Sequence, residues 1–273
     1  MGKILKWGLA AAACAVIGLV AYFFNYRATA SSCLARNSAG SLKACNSMVS
    51  RLPDDRVAMY LASRAVLYED AGKQAEALAD LKRLAELHSI GKAAVPESTL
   101  LRTHERIAML SAESGDVEST LTYGGKAVSM GSKAPNVHMM LGLAASSGKK
   151  YPEAIGYLRK AEEFGILSAQ GANTAQFFYA YGRAALEAGD HETAFAYLSK
   201  AEPLMKDPAG LSRINKALGR ALFEVKRYPE AKARLQAVLA SGAECPECTQ
   251  FLAAIAQAEK DAARTKRAAR KKR

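Results

Sequence analysis

Aromatic residues make up only 7% of the 273 residues, with a single Trp, although half of the chain is hydrophobic and alanine is abundant. That balance argues against a strand-rich fold and favours helices that approach closely through small side chains, so the chain reads as mostly α-helix. Histidine is scarce as well. His88, His104, His138 and His191 are scattered, and none joins a nucleophile or a carboxylate pair in a catalytic constellation. The stretch "GLAASSGKK" (142 to 150) is one residue too long for a phosphate loop and lacks the Ser or Thr that follows its lysine. The chain is therefore read as neither an enzyme nor the holder of a cofactor. It also contains no Asn-x-Ser/Thr acceptor, which, with the alanine content, inclines the reading towards a bacterial source.

Charge is missing from one long stretch. "WGLAAAACAVIGLVAYFF" (Trp7 to Phe24) is an uncharged run of 18 residues, preceded by Lys3 and Lys6 and closed by Asn25 to Arg27. Its length is at the lower edge for a membrane-spanning helix. The two leading lysines place the N-terminus in the cytoplasm and the remainder on the other side, in the periplasm of a bacterial inner membrane. Ala28-Thr29-Ala30 fits a small-x-small cleavage site, so a soluble periplasmic or secreted form freed after Ala30 is the alternative. Beyond the run, Cys33, Cys45, Cys245 and Cys248 form an even set in two local pairs, as disulfides of an oxidising compartment often do. Reduced buried thiols are the plainer reading. A shared zinc is disfavoured, because the pairs are far apart in sequence and no His lies near either. Cys245-Pro-Glu-Cys248 has the spacing of a redox motif, which keeps a thiol-exchanging accessory factor as a further alternative.

The rest of the chain repeats itself. Pairs of small residues twelve positions apart recur as Ala65 with Ala77, Ala108 with Thr120, Gly142 with Ala154, Gly182 with Ala194 and Gly219 with Ala231. Successive first members are 43, 34, 40 and 37 residues apart, so the register inside each unit is fixed while the connections vary. Each unit reads as two helices joined by a tight turn: Gly72, Gly115 and Gly189 suit a left-handed helix end, and Pro152 and Pro229 suit the first turn of the next helix. Leu78, Leu81 and Leu84, or Ile155 and Leu158, follow at helical spacing. No such pair can bury its apolar face alone, so the pairs must stack. The second unit departs most, with His104, Ser111, Thr120 and Gly124, and is expected to be loosely packed or shifted in register.

"LGLAASSGKKYPEAIGYLRKAEEFG" (141 to 165) and "YGRAALEAGDHETAFAYLSKAEP" (181 to 203) resemble tetratricopeptide repeats in the order of small residue, Tyr or its equivalent, Ala and Leu-x-x-Ala. The resemblance implies an all-α, right-handed α-solenoid of about five stacked helix-turn-helix repeats. The organisation expected is an N-terminal transmembrane helix or uncleaved signal over 1–30, an incomplete repeat over 31–57, repeats over 58–244, a C-terminal capping helix over 245–260 and a basic disordered tail over 261–273. A Cys33 to Cys45 disulfide would tie the incomplete repeat.

The same resemblance implies a partner-binding groove lined by the first helices of the repeats. At its C-terminal end the groove residues are Tyr179, Arg183, Leu186, Arg213, Lys216, Arg220 and Phe223. Their cations suit an acidic segment or a C-terminal carboxylate of a protein partner. The segment from Lys260 to Arg273 holds eight cations and one acid, +7 of the net +12, and suits anionic lipid headgroups; without aromatic stacking residues it is a poor nucleic-acid surface. The function expected is that of a membrane-anchored scaffold or assembly factor.

Overall fold

A computed structural model describes residues 2–35, 40–168 and 174–271, with only the backbone path for 2–18 and 266–271. Among the described residues there is no strand, and the chain forms two compact units, residues 1–132 and 133–273.

The first unit contains α1 (Gly2–Ala35), α2 (Ser41–Arg51), α3 (Ala58–Asp70), α4 (Gln74–Ser89), α5 (Glu97–Glu113) and α6 (Val117–Ser129). The second contains α7 (Pro135–Ser147), α8 (Tyr151–Glu163), a short turn of 3-10 helix (Ile166–Ser168), α9 (Thr174–Glu187), α10 (His191–Ala201), a second 3-10 turn (Glu202–Leu204), α11 (Pro208–Glu224), α12 (Tyr228–Ala240) and α13 (Pro246–Lys271). Within each unit consecutive helices pair as hairpins, and each hairpin packs against the next.

The hairpins close on the small residues. Ala65, Ala77, Ala108, Thr120, Ala154, Ala194 and Ala231 are fully buried. A Cβ added at Gly182 would lie 2.6 Å from Leu198 Cγ, and one added at Gly142 would lie 2.6 Å from Leu158 Cγ. The leucine four residues beyond the buried alanine thus fills the space that glycine leaves. Dense interiors tolerate no added methyl at such points. The hairpin of α5 and α6 keeps this register despite its unusual residues. Ile107, Ala108 and Thr120 have no exposure, and the Thr120 hydroxyl donates to the Asp116 carbonyl at 2.7 Å.

The turns are built alike. The residue five before the buried Ala or Thr is left-handed in every hairpin from α3 to α12: Gly72, Gly115 and Gly189, but also Lys149 (φ 58°) and Lys226 (φ 61°). In each, the next residue's N–H donates back to the preceding helix, as from Lys150 to Ala145 at 2.9 Å and from Arg227 to Leu222 at 2.8 Å. Asp116 and Asp190 then cap α6 and α10 by accepting from the Ser119 and Thr193 N–H groups.

Two expected boundaries are not breaks in the structure. Residue 30 lies inside α1, which continues from the apolar run to Ala35, and Tyr26 and Ala30 pack on the core formed by Cys33, Cys45, Val57, Tyr60 and Leu61. The incomplete repeat is therefore a full hairpin whose first helix is the end of α1. At the other end α13 runs on to Lys271, so the segment 261–271, expected to be disordered, is helical. Alanine alternates there with Lys and Arg, all strong helix formers, and Gln257 donates to Asp261 one turn on at 3.0 Å.

Among the residues whose side chains are described, no helix is long and apolar enough to cross a membrane. The greater part of the expected span, residues 7–24, lies outside them. Its last part is apolar and exposed: Leu19, Tyr22 and Phe24 are each about two-thirds accessible.

Candidate functional site

The second unit holds a groove of about 290 Å³ between α9, α11 and α13. One helical face of α9 supplies Tyr179, Arg183, Leu186 and Glu187, and the corresponding face of α11 supplies Arg213, Lys216, Ala217 and Arg220. Spacings of three and four residues put each set on one side of its helix, to the flank of the small residue that meets the hairpin partner. The first turns of α13 add Glu247, Cys248 and Phe251, while Leu235 of α12 completes the floor. A smaller recess of about 190 Å³ adjoins it, sharing Tyr179 and Arg183 and adding Leu143, Tyr151 and Gln176.

Six of the seven expected groove residues line this cavity. Phe223 does not. Its ring lies 5.0 Å from that of Phe251 and 5.7 Å from that of Tyr228, in the apolar cluster that docks α13. Phe223 is half-buried there, and its packing on two neighbouring rings takes the place of exposure in the groove.

Four cations line the groove against two carboxylates. Arg220 pairs with Glu187 at 2.9 Å, and Lys216 pairs with Glu247 at 2.6 Å. Lys216, and more weakly Arg220, hold the Glu247 carboxyl below the usual carboxylate range. Among the described residues, Arg183 and Arg213 make no ion pair. The Arg183 guanidinium lies 5.9 Å from the centre of the Tyr179 ring, and both arginines are exposed. The cavity therefore offers two uncompensated guanidinium groups beside apolar walls, an arrangement suited to bidentate hydrogen bonds with carboxylate oxygens.

The described residues bring together no reaction centre. No three His, Cys, Asp or Glu side chains among them converge as metal ligands. Cys245 is joined to Cys248 and Cys33 to Cys45. Cys248 has no exposure and Cys245 only 7%, which denies an attacking thiolate direct access to that disulfide. His104 and His138 take equivalent positions on α5 and α7, buried beside Tyr123 and Tyr157 respectively. Burial pushes the His104 imidazole down to about 4, with Lys126 and His88 acting in the same direction.

A family model described as a tetratricopeptide repeat matches residues 185–255, the stretch that runs from the end of α9 into α13. The hairpin pattern of the wider chain is shared with solved structures. YrrB, described as a TPR protein with an unusual peptide-binding site, aligns with a TM-score of 0.55 at 15% identity over 78% of this chain and 98% of its own. A mutant form of MamA aligns with a TM-score of 0.53 at 15% identity over 69% of this chain and 99% of its own. MamA from AMB-1 gives a TM-score of 0.52 at 14% identity, over 71% and 96% respectively. Likeness at such identities reaches the fold alone. No curated protein matches the sequence.

Two groove residues lie outside the set expected from the repeat pattern. Glu187 stands four residues after Arg183 on the same face of α9, so helical spacing alone could have found it. Glu247 carried no such signal, since it reaches the groove only because α13 docks on α11 and α12.

Proposed function

We propose that this protein-interaction module holds the acidic segment or C-terminal carboxylate of a partner protein in the groove between α9, α11 and α13. The observation that carries the reading is the exposed pair Arg183 and Arg213, left without carboxylate partners in a cavity where the other two cations are paired. The adjoining recess, with Leu143 and Tyr151, suits an apolar side chain a few residues away along an extended segment. The peptide-binding site named for YrrB supports a peptide as the kind of ligand.

The same proposal keeps α1 as a membrane anchor, with the repeats on the periplasmic side of a bacterial inner membrane. The uncharged run 7–24 and the exposed Leu19, Tyr22, Phe23 and Phe24 at its end support it. The packing of Tyr26 and Ala30 into the first hairpin favours a retained helix over cleavage after Ala30. Two disulfides suit an oxidising compartment. The cations at the end of α13 suit anionic headgroups by their charge.

The test is in-cell crosslinking followed by mild-detergent purification of the full chain beside an Arg183→Glu, Arg213→Glu variant. Partners held by the native chain and lost by the folded variant support the groove; identical partners on both refute it. Alkaline extraction of membranes from the same cells reports on the anchor, which is refuted if the native chain is released into the soluble fraction.

A further inference from the structure

Glu247 is the second residue of α13 and stands between the two cysteines of a disulfide, in Cys245-Pro246-Glu247-Cys248. The Cys248 N–H donates to Cys245 Sγ at 3.2 Å, and Cys248 is fully buried against the groove floor. The backbone on both sides of Glu247 is thereby fixed, and its side chain extends into the cavity to Lys216. A carboxylate is favoured at this place by the helix N-terminus as well as by the ammonium. Yet the pair is open to water, with side-chain exposures of 48% for Lys216 and 58% for Glu247. Exposed pairs contribute little and exchange readily.

We infer that Glu247 is a resident occupant of the carboxylate site: it holds Lys216 where a partner's carboxylate binds, and an acidic ligand enters by displacing it. The inference rests on the groove reading above. A ligand that displaces Glu247 exchanges one carboxylate for another at Lys216 and gains nothing there, so the resident carboxylate weakens capture of an acidic segment.

The experiment is fluorescence anisotropy with the full chain in detergent micelles and a labelled hexapeptide, Gly-Ala-Leu-Ala-Glu-Asp with a free C-terminus. The proteins compared are the native chain, Glu247→Gln, Lys216→Gln and the double variant. Glu247→Gln is expected to tighten binding roughly two- to fivefold at low salt, the range for releasing an exposed pair. That gain should shrink as salt rises and vanish in the Lys216→Gln background. A generic change in groove charge would persist in that background, so a persisting gain overturns the inference. Equal affinity of the native and Glu247→Gln chains overturns it too. Both outcomes leave the groove reading standing; no binding of the peptide by any of the four proteins overturns the two together.

Discussion

Cys33 and Cys45 stand twelve residues apart, the separation of the small residues that meet in every other hairpin, and both are fully buried. Their Cα atoms are 4.7 Å apart. Where the repeats from α3 to α12 bring two small residues together, the first hairpin uses the same close approach to form a covalent bond. Such proximity is what a disulfide requires. The bond ties the end of α1 to α2, so that end of α1 is a member of the first hairpin.

Replacing both cysteines, Cys33→Ala with Cys45→Ala, should lower the stability of the first unit by about 2 to 3 kcal/mol, the cost of freeing a loop of this length. Native-state hydrogen exchange should show the loss in α2 and the end of α1 while α9 to α12 keep their protection. Unchanged exchange in α2 would mean that apolar packing alone holds the hairpin.

Gly182 and Leu198 should behave as a coupled pair, since a Cβ at Gly182 meets Leu198 at 2.6 Å from Cγ. Gly182→Ala is expected to cost about 1 to 3 kcal/mol through overpacking. In a Leu198→Ala background its cost should largely disappear. Chemical denaturation of the four members of the cycle measures the coupling, and additive costs would show that the backbone relaxes instead.

Lys149 and Lys226 occupy the left-handed turn position that three other hairpins give to glycine. A side chain there strains the backbone, so Lys149→Gly and Lys226→Gly should each stabilise the second unit by about 0.5 to 1 kcal/mol. A rise in denaturation midpoint for both would bear this out, whereas a fall would mean that the unfolded-state entropy of glycine dominates.

His104 supplies a pH dependence with a definite sign. Its folded value of about 4 lies below the ordinary value of 6.5, so the neutral imidazole is favoured by folding. Its contribution is fully present above about pH 6.5 and is lost as pH falls from there towards 4. Lys126 and His88 oppose its protonation, and Tyr123 packs beside it. A His104→Phe variant should show a shallower loss of stability across this window, by about 1 to 2 kcal/mol at pH 4.5 once solvent screening is allowed for. Parallel profiles for the two proteins would assign the acid sensitivity to other groups.

The hairpins were legible in the sequence because their determinants are local. A small residue, its partner twelve positions on and a left-handed turn five residues before that partner lie within one chain segment, and the Cys33 to Cys45 spacing carried the same signal. Helical periodicity likewise put Tyr179, Arg183, Leu186, Arg213, Lys216 and Arg220 on matching faces of two helices. Tertiary structure decided what fills the groove. Phe223 left it for Phe251, and Glu247 entered it, because the amphipathic start of α13 docks on α11 and α12, a contact between segments that obeys no repeat register. Charge pairing between helices, of Lys216 with Glu247 on α13 and of Arg220 with Glu187 on α9, leaves Arg183 and Arg213 as the uncompensated cations.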